Sequence, residues 1–293
     1  MRFFNLKYQA HTLLRLMLAV ICIGHTLAHA EYISPDKINI TTPRYKANPV
    51  TYIDLVYQYR ISWQGIPVAT ATISVLPMGN DLPGQVKVVA RAKTAKAIDM
   101  FYKMRHLSEA VFDGKVFEPI SFFSQQKENR REKHRVIKYQ GLGKIASEQS
   151  NQKGDRSYLE FDTKNATYDP LSGAFLAKSV EPEIGKAIQI DIFNGKHRFL
   201  ISFLYQGKEK IKFGQTERDA YLVIPTLNRL TDTEHEHRFH HAKLWVSADA
   251  RRDILKMESK VWIGTVVAEL EQVNGIPVTN GENVSVSSSK QSN

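Results

Sequence analysis

Cysteine is all but missing from this 293-residue chain: its one thiol, Cys22, sits in an apolar run near the N-terminus. A disulfide-stapled scaffold is thereby excluded, and so is a thiol nucleophile in the body of the protein. The sequence also lacks a G-x-S-x-G elbow, a P-loop and a dinucleotide-binding fingerprint. Carboxylate pairs such as Glu181 and Glu183 occur, but nothing in the sequence brings them together. No repeat of fixed period is present, and no Pro/Gly-rich linker divides the chain. Long apolar runs are absent too. Leu16–Leu27 extends for about a dozen residues, short of the roughly 20 that a membrane-spanning helix needs.

What that run does fit is an export signal. Arg2, Lys7 and Arg15 precede or open it with no acid among them, and Ala28-His29-Ala30 forms a cleavage site before Glu31. Residues 1–30 are expected to be a cleavable signal peptide that delivers the rest to a bacterial periplasm. A lipoprotein would need a small residue before Cys22, where Ile21 stands. The full chain carries 40 Lys/Arg against 30 Asp/Glu, and losing the three basic residues of the signal takes the balance from +10 to +7. In a periplasm that charge favours anionic lipid, lipopolysaccharide or acidic glycan as partners, although it also serves solubility alone. Nucleic acid, the usual partner of a basic chain, is disfavoured by export.

Residues 31–50 hold Pro35, Pro43 and Pro49 without apolar periodicity and read as an extended leader; residues 274–293 read as a disordered tail. Between them, over 51–273, the dominant period is two. Ile53, Leu55, Tyr57, Tyr59, Ile61 and Trp63 share one face of a strand, and Gln64-Gly65 turns it into Val68–Leu76. Val86, Val88, Ala90 and Ala92 alternate with Lys87, Arg91 and Lys93. Asn194-Gly195 predicts a tight primed hairpin turn between Ile188–Phe193 and His197–Tyr205. That second strand is apolar on both faces, so it is either central in a sandwich or lines an apolar interior. Helical stretches are few: Ala95–Met104 and Leu171–Lys178. Short antiparallel strands must bury one face and protect their edges. The expected fold is therefore all-β and mainly antiparallel, a curved sheet or barrel-like domain with one or two short helices. Trp63 and Trp262 are expected in its core.

Three segments carry a family resemblance: YRISWQGIPVATA from Tyr59, YDPLSGAFLAK from Tyr168, and LWVSADARRDILKMESKVWIGTVVAEL from Leu244. Together they resemble the secreted bacterial family of domain of unknown function 3108, with Lys178 standing where an Arg is usual and Ile254 where a Pro is common. The resemblance implies a β-rich envelope domain and no reaction.

Of the chemistry-bearing stretches, TDTEHEHRFHHAK from Thr231 is the densest in histidine. In an extended chain His235 and His237 share a face, and with Glu234 or Asp232 they form a candidate Zn²⁺ or Cu²⁺ site. The H-E-x-x-H pattern is broken, since Phe239 occupies the second histidine's place. A solvated loop is the alternative. Lys127–Arg135 (KENRREKHR) reads as a charged hairpin or edge strand, or as a docking patch for anionic lipid or glycan. Asp249 is positioned to cap its own turn, with Arg251 and Arg252 solvated or ion-paired, and Asp169 to cap a helix. No cofactor is called for. The reading that follows is a non-catalytic periplasmic protein binding an apolar or amphiphilic ligand, or a partner. Leu55, Tyr57, Phe199, Ile201 and Phe203 would line a cavity, and Lys87, Arg91 and Lys93 would receive an acidic head group. A metal-dependent hydrolase of an envelope polymer using His235–His241, and a purely structural scaffold, are the alternatives.

Overall fold

Strand after strand obeys the two-residue period, and the computed structural model gathers them into one sheet. It describes residues 42–46, 54–79, 82–141, 143–213, 216–230, 242–261 and 264–277. The expected signal peptide, most of the leader, the tail beyond 277, Trp262 and the histidine segment 231–241 lie outside the described residues.

The first half of the chain supplies β1 (Leu55–Trp63), β2 (Ile66–Pro77), β3 (Gln85–Thr94), the one-turn helix α1 (Lys96–Asp99), β4 (Met104–Asp113), β5 (Pro119–Glu128), β6 (Arg131–Gln140), β7 (Lys144–Asn151) and β8 (Arg156–Asp162). The second half supplies β9 (Thr167–Tyr168), helix α2 (Pro170–Ser179), β10 (Ala187–Phe193), β11 (Arg198–Phe213), β12 (Thr216–Arg229), β13 (Ala242–Ser247), β14 (Ile254–Lys260), β15 (Thr265–Val273) and β16 (Ile276–Pro277). Spatial order runs β8-β7-β6-β5-β4-β3-β2-β1-β15-β14-β13-β12-β11-β10-β9, with β16 beside β15. Every described pairing is antiparallel except β9 with β10. One long-range ladder, Tyr59↔Leu270 to Trp63↔Val266, joins the two hairpin series.

The sheet rolls up until its ends overlap. Phe161 on β8 meets Phe193 on β10 edge to face at 5.0 Å, although these strands lie near opposite ends of the order. Ser147 Oγ and Gln149 Nε2 on β7 donate to the Gly195 carbonyl at 2.8 and 3.0 Å. Ile188, Ile190 and Ile192 face the interior, while Asp191 and Phe193 point to the other side of β10, and all five are buried. The C-terminal half of β10, buried on both faces, marks the overlap, in which the inner faces of β7 and β8 cover the back of the strand around Asp191 and Phe193, while Ala187 and Gln189 on that back remain exposed. On β11, Phe199, Ile201, Phe203 and Tyr205 face inward, and Leu200 and Leu204 alternate with them on the back, both half-buried, with Leu204 opposite the exposed Ala187.

Local expectations are refined at several points. The Asn194–His197 turn centres on Gly195-Lys196, with Gly195 at φ +92°, and the Asn194 side chain accepts from the amides of Lys196 and His197. Lys127–Arg135 forms the β5–β6 hairpin within the sheet and not an edge, with Glu128 and Arg135 buried. Trp63 is only half-buried, packed against the core's margin, because the hairpin turn at Gln64-Gly65 leaves it at the sheet's end. The tail expected from 274 begins with a turn that returns β16 onto β15. Residues 42–46 of the leader lie against β10 and the loop before β9, through Tyr45 Oη accepting from Gln189 N at 2.6 Å and Thr42 N donating to Asn165 Oδ1 at 3.3 Å.

Candidate functional site

Helix α2 stands inside the rolled sheet, touching β4 on one side and β9 and β10 on the other. Its start is fixed by sequence: Asp169 in extended conformation caps it, Oδ1 accepting from Leu171 N (2.8 Å) and Ser172 N (3.0 Å), with Pro170 in the first turn. Small side chains let it approach the wall. A methyl at Gly173 would sit 2.2 Å from Ile192 Cδ1. Between α2 and strands β10 to β14 remains a cleft of about 70 Å³. Ala174, Ala177, Ile192, Ile201, Phe203, Val223, Pro225, Leu244 and Ile254 are among its walls, and Lys178 and Arg252 are its charged lining residues.

Those two cations belong to a network on the turn after β13. Asp253 is buried and accepts from Tyr57 Oη (2.9 Å), Lys178 Nζ (3.2 Å) and Arg251 Nη2. Arg252 donates to the Lys178 and Val180 carbonyls at 3.2 and 2.9 Å and pairs with Glu181. Lys178 Nζ also lies over the Tyr57 ring at 5.3 Å. Asp249 caps the turn itself, accepting from Arg251 N at 2.9 Å. The end of α2 is thus tied to β1 and to the β13–β14 turn by one carboxylate.

Burial would raise the Asp253 carboxyl, but Lys178, Arg251 and the Tyr57 hydroxyl outweigh it and hold it below the ordinary carboxylate value. A depressed carboxyl contributes stability that is complete above the unfolded value near 4 and is lost as pH falls through the folded one. Asp253→Asn should therefore cost about 2 kcal/mol at pH 7, discounted because both cations reach solvent. Urea denaturation measures it, and the gap from the parent should close in acid.

Asp169 behaves in the opposite sense. Complete burial lifts its carboxyl to about 6, against the lowering effect of Ser172 and the Leu171 amide. A raised carboxyl stabilises most when protonated, so its contribution falls as pH rises from about 4 to 6 and is flat above, by up to about 1.4 kcal/mol per pH unit. Asp169→Asn keeps an acceptor for the two amides and removes the buried charge. This variant should lose that pH slope and be no less stable than the parent at pH 7. An unchanged slope would mean that Asp169 titrates normally.

The residues expected to line a cavity divide. Ile201 and Phe203 line the cleft. Phe199 is buried one inward position further along β11, its ring 6.3 Å from His197. Tyr57 reaches the site through Asp253, and Leu55 packs at the core's margin without lining the cleft. Lys87 and Arg91 are on the outer face of β3. Lys87 pairs with Glu109 at 2.7 Å, and Arg91 lines a separate outer groove of about 280 Å³ with Lys93, Arg105 and Lys127. The apolar cleft and this cationic groove lie on opposite faces of the sheet, so one small ligand cannot bridge them. His235 and His237 lie outside the described residues, among which no group of three or more His, Cys, Asp or Glu could hold a metal ion. No described helix is long and apolar enough to cross a membrane.

Sequence reasoning missed Asp253 and the role of Lys178 as residues that meet in space. It also missed the buried His106–Glu128 contact (3.2 Å) across β4 and β5. Only the inward parity of these two positions hinted at it.

No curated protein matches the chain. Its fold is similar to the crystal structure of a beta-barrel-like protein of domain of unknown function DUF1849 from Brucella abortus. The TM-score is 0.50 and the identity 9%, over 76% of this chain and 98% of that one. The family model of Protein of unknown function (DUF3108) matches residues 58–271, and with β1 to β15 forming the barrel-like sheet described above, the chain belongs to that family.

Proposed function

We propose that the protein is a non-catalytic component of the periplasmic cell envelope, exported by residues 1–30, that holds the apolar part of an acidic amphiphile beside α2. The observation that carries this reading is the cleft itself, with apolar walls and Lys178 and Arg252 among its lining residues. An apolar recess with a few polar groups at one end suits an amphiphile. Around that end, Lys178 and Arg251 pair with Asp253 and Arg252 pairs with Glu181, while Asp249 caps the same turn, so the cations that reach the cleft are held in place by carboxylates. A volume of about 70 Å³ is below the roughly 150 Å³ of an apolar cavity that admits benzene. Uptake of an acyl chain therefore requires α2 to ease away from β10 and β11, and the small residues Gly173, Ala174 and Ala177 on its cleft side make that movement short.

Native mass spectrometry of the purified protein tests the proposal, together with titration by a fatty acid and by its neutral monoglyceride. A co-purifying amphiphile is expected. Fatty-acid binding should weaken as salt rises while monoglyceride binding does not. Ala174→Leu, which fills the cleft, should abolish both. Absence of any adduct and of fatty-acid binding would leave a structural role. Stoichiometric zinc, lost when His235, His237, His240 and His241 become Gln, would favour the hydrolase instead.

A further inference from the structure

At the end of the barrel away from the Asp253 network, the loop between β3 and β4 presents apolar side chains to solvent. Met100 is 81% exposed and Phe101 is 68% exposed, and Ile66 on the β1–β2 turn, at the same end, is 60% exposed. This loop is built and not frayed. Ile98 packs against the core and Tyr102 is buried beneath it, while Phe101 N and Tyr102 N both donate to the Ile98 carbonyl at 2.9 Å. Asp99 is held by Thr94 Oγ1 (2.5 Å) and Arg105 Nη1 (3.0 Å). The neighbouring β5–β6 turn is fastened to it by Asn129 N to Lys103 O (2.8 Å) and Lys103 N to Asn129 Oδ1 (2.9 Å).

Around this ordered apolar tip the fully exposed charges are cationic. Lys96, Lys103, Arg130 and Arg131 are exposed, and Lys103 adds to the positive field of Arg105 on Asp99. The carboxylates at hand are occupied: Asp99 by Arg105, Glu132 by Lys127 at 3.0 Å and His134 at 3.2 Å, and Glu128 is buried facing inward. Immediately along the outer face runs the groove of about 280 Å³ that holds Arg91, Lys93, Arg105 and Lys127. A rigid loop that holds a methionine and a phenylalanine in water has no reason in the fold's own packing. Projecting apolar side chains ringed by Lys and Arg match the layered chemistry of a bilayer surface, with acyl chains below and phosphates above.

We propose that this end of the barrel docks on a membrane surface rich in anionic phospholipid. Met100 and Phe101 enter the head-group and acyl boundary, and the surrounding Lys and Arg meet the phosphates. The surface is separate from the α2 cleft, and its failure would leave the cleft reading untouched.

Co-sedimentation of the full chain with vesicles tests this, comparing phosphatidylcholine alone with phosphatidylcholine containing phosphatidylglycerol. Met100→Ser/Phe101→Ser removes the apolar tip, and Lys96→Gln/Lys103→Gln/Arg130→Gln removes charge. All five side chains are exposed, so melting temperatures should match the parent, and every protein carries the same N-terminal segment. The parent is expected to prefer the anionic vesicles and to release them as salt rises. The apolar pair should weaken partitioning roughly tenfold or more, and each lost charge by roughly fivefold. Equal binding to both vesicle types, or variants that bind like the parent, would overturn the proposal. So would a parent dimer that the apolar variant dissociates, since the tip would then be covered by a second copy.

Discussion

Replacing Arg198 with Met should cost about 3–5 kcal/mol of stability, because it strands a carboxylate in the interior. Arg198 and Asp191 are 1% and 0% exposed, side by side on the back of β10 and β11. The guanidinium Nε donates to both Asp191 oxygens at 2.7 and 2.8 Å, and Nη2 donates to Asp191 and to Thr163 Oγ1 at 2.8 Å. Asn165 Nδ2 donates to the same carboxylate at 3.1 Å. The pair therefore fastens the strand back to the loop between β8 and β9, where the two ends of the sheet overlap. Methionine keeps much of the volume but supplies no donor. For a domain of this size the loss lowers the melting temperature by on the order of 10 °C. The double change Asp191→Leu/Arg198→Met removes both charges and should recover most of the loss, since buried ion pairs exchange for apolar pairs at little net cost. Urea denaturation of the three proteins checks this. A single Arg198→Met variant within about 1 kcal/mol of the parent would mean the pair behaves as a solvated one.

This ion pair also shows where sequence reading stops. The strands, their faces and their turns are local facts: the alternation through Tyr57, Tyr59 and Ile61, the Gln64-Gly65 turn and the Asp169 cap all follow from neighbours in sequence. What joins distant segments has no local signature. Asp191 and Arg198 fall on the face of their hairpin that, in an ordinary curved sheet, would be solvated. They are buried only because β7 and β8 overlap β10, and nothing near residue 191 announces that. Lys178, Tyr57 and Asp253 meet across most of the chain in the same way. Trp63 failed as a core residue for a related reason. Parity places it on the inner face correctly, but depth along the strand decides burial, and it is the last residue before the turn. The assignment of Lys87 and Arg91 as a rim stumbled on distance: outward parity was right, yet the cleft formed against β10 to β14 and not against β3.

Phe112→Ala should be as damaging, about 3–5 kcal/mol, the usual cost of deleting a buried aromatic ring. Phe112 is fully buried on the inner face of β4. It stacks on Phe117 (5.9 Å, 19° between planes) and meets Phe175 of α2 at 5.8 Å and 45°. Phe117 is held in left-handed conformation at φ +61°, which costs a non-glycine residue about 1–2 kcal/mol. The Asp113 side chain fixes that turn, accepting from Lys115 N and Val116 N at 2.8 and 2.9 Å, and burial of the Phe117 ring against Phe112 offsets the strain. Removing Phe112 thus withdraws the partner of two rings at once, one on a strained turn and one on the helix that walls the cleft. Phe112→Leu fills much of the space and should cost less, about 1–2 kcal/mol. Hydrogen exchange over 170–179 distinguishes a general loss of stability from release of the helix. Faster exchange there than in β10 is expected for the Ala variant, with looser binding of any amphiphile held beside α2. If α2 and β10 lose protection equally, Phe112 supports the barrel as a whole, and the anchoring of α2 rests on Asp169 at one end and the Lys178–Asp253 pair at the other.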